Sequence, residues 1–250
     1  MLFRSEFGLT ESVDVIALCE VPVPLPLFEN NSGYRRIPHI LDTRGIEVFV
    51  CSSRISVNNY YREKRRYCLF RLEDDDINIV IAHLNSDRIS QGKESRWADL
   101  SGIISNISRM EEKFQSKQTL VIGDLNIGLF DDQMLLLTGF NAKLFKYQLS
   151  KESRKIHEEE RDMFYNPMLA VYKDQESEEE ARGTHFYAGA HPHWHCYDHV
   201  LMKPTVIPRF NIHKLRIINR LGQTKLVEHN KTVETISDHL PVYFEIDRRV

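Results

Sequence analysis

Little in this sequence points to a disulfide framework or to a membrane. Its four cysteines, Cys19, Cys51, Cys68 and Cys196, are scattered and form no CxxC pair. That usage fits a reduced, cytoplasmic setting. Cys19 and Cys51 lie inside apolar runs and read as small buried hydrophobes. No stretch approaches the roughly 20 apolar residues of a membrane span, so no membrane partner is expected. The first ten residues carry no apolar run of the signal-peptide kind. A global basic field is missing too, since the net charge is −3 and the pI is near 6.4. Binding a polyanion would need a local basic groove or a metal ion. There is no internal repeat, and the acidic runs at 158–160 and 178–180 read as solvated faces or loops.

What is present suits one soluble domain over residues 1–250, with 42% hydrophobic and 28% charged residues. Residues 12–21 read as a strand rich in β-branched residues that delivers Glu20 at its end. Prolines at 22, 24 and 26 stop it. Residues 45–51 form the next strand. The runs 67–72 and 77–84 read as a strand pair around the acidic turn 73–76, and His83 stands at the end of the second. Between these lie Arg54 and the basic run 62–66, a candidate phosphate contact or a solvated loop. Residues 94–115 read as an amphipathic helix with Trp97, Leu100, Ile104, Ile107 and Phe114 on its core face. The helix leads into the short apolar run Leu120-Val121-Ile122. That run ends in Gly123, then Asp124 and Asn126, two residues apart and so able to face one side.

Residues 131–138 and 142–164 read as mostly helical, and His185 to Ala188 as strand-like. The segment 191–199 holds four histidines, a cysteine and an aspartate, yet its spacing fits no standard structural zinc pattern, and it reads as a surface loop. Residues 197–202 form a strand with Asp198 near its start, and Asp238-His239 precedes the last strand. This alternation of strand, helix and strand points to an α/β protein with helices packed outside its sheets.

Polar residues thus recur at strand ends: Glu20, Asp124 with Asn126, Asp198, and Asp238 with His239. Ends of strands at one edge of two sheets can converge on one cleft. Several carboxylates and a histidine around a cleft suit a hydrolytic site for a hard divalent ion such as Mg²⁺ or Mn²⁺, where oxygen ligands are preferred and waters stay bound.

The four segments Ala17-Leu18-Cys19-Glu20, Gly123-Asp124-Leu125-Asn126, Tyr197-Asp198-His199-Val200 and Ser237-Asp238-His239-Leu240-Pro241 together resemble the endonuclease/exonuclease/phosphatase superfamily. The likeness spans Val13 to Ile246. It implies a deoxyribonuclease-I-like α/β fold, a four-layer sandwich of two mixed β-sheets packed face to face with helices outside. It implies a metal-dependent phosphodiester hydrolase using Mg²⁺ or Mn²⁺, with nucleic acid as the expected substrate. Glu20 would be the principal metal ligand and Asp238 would lie near the metal. Asp124 would orient or deprotonate the attacking water, with Asn126 helping to hold it. His239 would contact the scissile phosphate, Asp198 would fix its tautomer, and His83 would also reach the phosphate. Arg96 matches, more loosely, an arginine seen at the start of the long helix, and Arg54 is a further candidate substrate contact.

One departure stands out. The family opens with an apolar strand ending in an Asn that supports the metal-binding Glu. Only nineteen residues precede Glu20 here, and none of them is Asn. The resemblance therefore implies a domain shortened at its N-terminus. Two other readings stay open: a phosphatase or phospholipase on a small phosphorylated substrate, and a binding module that has lost turnover. Tyr34, Tyr60, Tyr61, Phe186 and Trp194 could stack on bases or serve as packing.

Overall fold

The computed structural model describes residues 13–20, 33–37, 45–64, 66–88, 91–149, 151–156, 159–172 and 177–248. The prolines at 22, 24 and 26, most of the 30–40 segment, and the side chains of Tyr60, Tyr61 and the basic run 62–65 lie outside the described residues. In chain order the first strands are β1 (Val15–Leu18), β2 (Tyr34–Arg36), β3 (Glu47–Cys51), β4 (Val57–Lys64), β5 (Tyr67–Leu72) and β6 (Ile77–Ala82). Helix α1 (Gly92–Phe114) leads to β7 (Thr119–Asp124), followed by the single turn α2 (Asp132–Leu135). Next come β8 (Ala142–Lys143), β9 (Ser153–Ile156), β10 (Glu159–Asp162), β11 (Phe164–Tyr165), β12 (His185–Tyr187), β13 (His193–His195) and β14 (Asp198–Met202). The C-terminal part is built of two-residue strands: β15 (Arg216–Ile217), β16 (Arg220–Leu221), β17 (Thr224–Lys225), β18 (Val227–Glu228), β19 (Lys231–Thr232) and β20 (Val242–Tyr243).

A seven-stranded mixed sheet in the order β4-β5-β6-β7-β14-β11-β8 dominates the molecule. The β6–α1–β7 unit is the parallel crossover, and β7 then pairs antiparallel with β14. Alternation along these strands feeds two cores. Phe70, Ile79, Ile81, Leu120, Val200 and Met202 face one way. There they meet Val48 and Val50 of a second, three-stranded sheet in the order β1-β3-β2. Leu69, Val80, Val121 and Leu201 face the other way, against Leu100, Ile103, Ile107 and Met110 of α1. Strand β6 is buried on both faces, which explains its unbroken apolar run.

The α/β sandwich expected from the sequence is therefore present, with α1 as the one long helix among the described residues. The reading of 142–164 as helical is corrected. That segment holds β8, β9, β10 and β11, with β9 and β10 paired antiparallel and Lys155 opposite Glu160. Charged residues with fair helix propensity are recruited into strands because pairing and sheet edges decide the state. The helix expected over 131–138 shrinks to the turn Asp132–Leu135. Among the described residues no helix is long and apolar enough to cross a membrane. Cys51, Cys68 and Cys196 are buried, and Cys19 is half-buried.

Candidate active site

The site begins with strand register. Asp124 closes β7 and Asp198 opens β14, and the two residues are directly paired. The alternation that sends Leu120 and Val200 into the inter-sheet core puts both carboxylates at the edge of that face. The backbone around them is pinned on both sides, by Leu84 N–H to the Asp124 carbonyl and Leu125 N–H to the Tyr197 carbonyl, each at 2.9 Å. Gly123 explains why the motif needs its glycine. Its φ is +126°, and a Cβ there would stand 2.2 Å from the Ala82 carbonyl oxygen of the adjacent strand.

Asn126 has φ +49°, in the left-handed region that Asn tolerates better than most side chains. That turn folds it back over Asp124. Its backbone N–H donates to Asp124 Oδ1 at 2.9 Å, and its Nδ2 donates to Asp124 Oδ2 at 2.8 Å and to the Leu84 carbonyl at 3.0 Å. His239 Nδ1 hydrogen-bonds Asp198 Oδ2 at 2.8 Å, which fixes the proton on Nδ1 and aims Nε2 toward Asp124. His239 Nε2 lies 4.0 Å from Asp124 Oδ2, and His83 Nε2 lies 3.8 Å from the same oxygen. His83 Nε2 is also 3.3 Å from Glu20 Oε1. Glu20, His83, Asp124, His239 and Asp198 therefore form one connected array.

Electrostatics separates the two aspartates. Burial first, and then Asp198 across the pair, push Asp124 up to about 7, while His239 and the Asn126 amide work the other way. Burial would also raise Asp198, but the His239 cation and hydrogen bonds from His239 and Thr184 reverse this and hold it below the usual carboxylate range. His239 itself is opposed by burial, yet Asp198 and the bond to it, with Asp124 and Asp238 nearby, lift it to about 10. His83 is lowered by burial despite Glu20, so it stands neutral at pH 7.

The donor chemistry fits a hard divalent ion. Glu20 offers an oxygen on a side chain that is 68% exposed, and Asp124 is short of compensating positive charge. Asp238 is exposed and groups with His185 and His239, their ligand atoms lying within 4.8 Å of one another. Asp124, Asp198 and His239 satisfy the same spacing.

Two expected substrate contacts are placed otherwise. Arg96 is buried to 1% exposure. Its guanidinium donates to Gln133 Oε1 at 2.9 Å, the Asn85 carbonyl at 2.8 Å and Asp87 Oδ1 at 2.6 Å. It clamps the loop after β6 to α2. Arg54 donates to the Val13 carbonyl and pairs with Asp14, each at 2.7 Å. That is the end of β1 opposite to Glu20. Tyr34, Phe186 and Trp194 are buried packing residues.

Sequence reasoning missed Thr184 and His185. Thr184 is fully buried, and its Oγ1 accepts the backbone N–H groups of Tyr197 and Asp198 at 3.0 and 3.1 Å. No local pattern announces it. His185 Nδ1 bonds the Asp238 carbonyl at 3.0 Å, and its ring centroid is 4.6 Å from that of His239. The segment 191–199, read as a surface loop, forms β13 and enters β14, and His199 is locked between Asn166 Nδ2 and the Ile127 carbonyl. The period-two histidine spacing was the signal for that strand.

No family model matches the sequence, and no curated protein matches it by sequence. Solved structures do match its fold. An AP endonuclease from Archaeoglobus fulgidus superposes with TM-score 0.54 at 12% identity, covering 98% of this chain and 94% of that one. D. rerio TDP2 complexed with a single-strand DNA product superposes with TM-score 0.57 at 14% identity, covering 97% and 91%. The 3′ phosphatase NExo from Neisseria, bound to a product DNA hairpin, superposes with TM-score 0.52 at 11% identity, covering 94% and 89%. The chain therefore has the deoxyribonuclease-I-like fold of the endonuclease/exonuclease/phosphatase proteins.

Proposed function

We propose that the chain is a divalent-metal-dependent phosphodiester hydrolase acting on nucleic acid, built as one catalytic domain over residues 1–250. The supporting observation is the gap around Asp124 Oδ2. Two imidazole nitrogens face this oxygen at 3.8 and 4.0 Å, too far for direct hydrogen bonds and close enough for one water lying to the side of the pair to bond both the carboxylate and an imidazole.

His239 enters as a cation. Asp198 holds its Nδ1–H, so its Nε2–H is the donor left for a phosphoryl oxygen, and its charge offsets the negative charge that builds there. Asp124, poised near 7, is matched to taking a proton from the attacking water at neutral pH. Asn126 holds that carboxylate from two directions and thereby sets the line of attack. Neutral His83 adds a second donor or acceptor on the same opening. Glu20, with Asp238 as a further carboxylate, would hold a Mg²⁺ or Mn²⁺ ion, which would supply Lewis-acid neutralisation of the phosphate. The solved structures of similar fold include a DNA-bound 3′ phosphatase. Removal of a terminal phosphate is accordingly the second reading of the same array.

The test incubates the protein with Mg²⁺ or Mn²⁺ and plasmid, single-stranded DNA, RNA or a 3′-phosphorylated oligonucleotide, beside Asp124→Ala and His239→Ala. Chain cleavage lost in both variants supports the proposal. Release of terminal phosphate alone favours the second reading. Retention of nucleic acid with no turnover by the wild type under either metal rejects both.

A further inference from the structure

Every polar group of Thr184 is engaged in holding the candidate site together. The residue stands just before β12 and is fully buried. Its backbone N–H donates to the His195 carbonyl at 2.7 Å, which anchors it on β13. Its carbonyl accepts the N–H of Leu240 at 2.8 Å, and Leu240 directly follows His239. The next residue, His185, forms an isolated antiparallel bridge with His239 and bonds the Asp238 carbonyl through Nδ1 at 3.0 Å. The backbone of 184–185 therefore carries the segment that presents His239. Gly183 permits this close approach, since a Cβ there would stand 2.4 Å from the His195 carbonyl oxygen.

The side chain reaches the other way. Thr184 Oγ1 accepts the N–H groups of Tyr197 and Asp198 at 3.0 and 3.1 Å. A hydroxyl has two lone pairs and one proton. Both lone pairs are taken here, and the proton goes to the Asp198 carboxylate. That carboxylate also holds His239 Nδ1 at 2.8 Å on Oδ2. Asp198 opens β14 of the seven-stranded sheet, whereas His239 lies on the segment before β20, outside that sheet. A lone side-chain bond between the two would let the ring swing as one segment shifts against the other. Thr184 grips both segments at once, the first by its hydroxyl and the second by its carbonyl. Valine would fill the same space and could do only the second.

We propose that Thr184 is a positioning residue of the hydrolase, whose hydroxyl fixes the Asp198 carboxylate in the orientation that aims His239 Nε2 at the opening beside Asp124. This role deepens the hydrolase reading and rests on it for the meaning of that aim. A hydroxyl that merely capped the two N–H groups of the turn before β14 would behave differently. Its loss would injure the protein independently of Asp198, whereas loss of an orienting bond acts only through Asp198.

Thr184→Val and Thr184→Ser are compared with wild type, alone and combined with Asp198→Asn. The valine variant is expected to lower kcat about 10- to 100-fold, the cost of a small misplacement, with KM unchanged. Thr184→Ser, which keeps the hydroxyl, is expected to retain a kcat near that of wild type. In the Asp198→Asn background Thr184→Val is expected to lower kcat no further. In metal-free protein at neutral pH, the low-field Nδ1–H resonance of His239, identified by its loss in His239→Gln, should be present in wild type and Thr184→Ser and absent in Thr184→Val. Equal kcat for Thr184→Val and wild type overturns the proposal. So does full additivity with Asp198→Asn, or an unchanged resonance in Thr184→Val. Thr184→Ala replaces the valine variant if that one does not fold, and failure of both to fold assigns the hydroxyl to the fold and overturns the proposal as well. A wild type without turnover on any of the substrates above rejects the hydrolase reading instead, while the resonance still decides whether Thr184 orients His239.

Discussion

The two halves of the candidate site are made in different ways. Asp124 and Asp198 stand on neighbouring strands of the seven-stranded sheet, paired in register with the backbone bonded on both sides, and Asn126 follows in the turn just past β7. Glu20 and Asp238 stand on segments that have left their strands, and both are exposed. The first half is a rigid framework in which burial tunes proton affinity. The second is open to solvent, so its carboxylates can exchange waters for ligands at little cost in packing. Proton transfer needs fixed geometry, whereas binding a hydrated cation needs access.

The sharpest way to break this contrast is Asp124→Asn. Turnover is expected to fall by about 10²- to 10⁴-fold, the range for loss of a general base. Stability is expected to move the other way. Asp124 titrates at about 7 when folded, against an ordinary 3.8, so ionising it opposes folding progressively from about pH 4 and fully above about pH 7. In EDTA at pH 8 the variant should therefore melt several degrees above wild type, and at pH 4 the two should coincide. A variant that gains nothing at pH 8 would show that Asp124 is not strained by its setting.

Asp198→Asn probes the same half through His239. The imidazole should fall from about 10 toward 6.5, read by NMR titration in metal-free protein. Because the folded value lies above the unfolded one, the stability His239 contributes is fully present below pH 6.5 and is lost as pH rises to about 10. The gap between wild type and variant should close over that window. Activity should drop by about 10²-fold, most steeply on the alkaline side. An unmoved His239 titration would remove Asp198 from the orienting role.

Glu20→Gln tests the open half. The metal concentration for half-maximal activity should rise roughly 10- to 100-fold, while the melting temperature in EDTA stays where it was. A fall in stability without a change in metal requirement would make Glu20 structural. The smallest effect on chemistry is expected for Arg96→Leu. It strands Gln133 and the Asn85 carbonyl and should cost about 2–3 kcal/mol of stability by denaturant unfolding. KM should change little. A large rise in KM with intact stability would return Arg96 to the substrate.

Much of the rigid half was legible in the sequence, because a strand that ends in a polar residue advertises both the strand and the residue. Asp124, Asn126, Asp198 and His239 all stand where such endings placed them. The setting of Arg96 was not legible, because a guanidinium near the start of a helix looks alike whether it meets a phosphate or, as here, Gln133, Asn85 and Asp87. Thr184 could not be read at all, since its two backbone partners lie thirteen and fourteen residues away. The 142–164 segment misled through propensity, which counts residues one at a time, whereas β9 and β10 exist only as a pair.

The pairing of β7 with β14 has a kinetic meaning as well. The neighbouring pair β6 and β7 is joined through helix α1, but β14 begins only at Asp198, after all the intervening hairpins. Closing that long segment is entropically slow, and a slip of one residue would turn every β14 side chain to the other side of the sheet. The carboxylate pair is accordingly expected to form late in folding. A refolding chain should regain its helical signal before it regains the chemistry, which makes activity a reporter on the completion of the sheet.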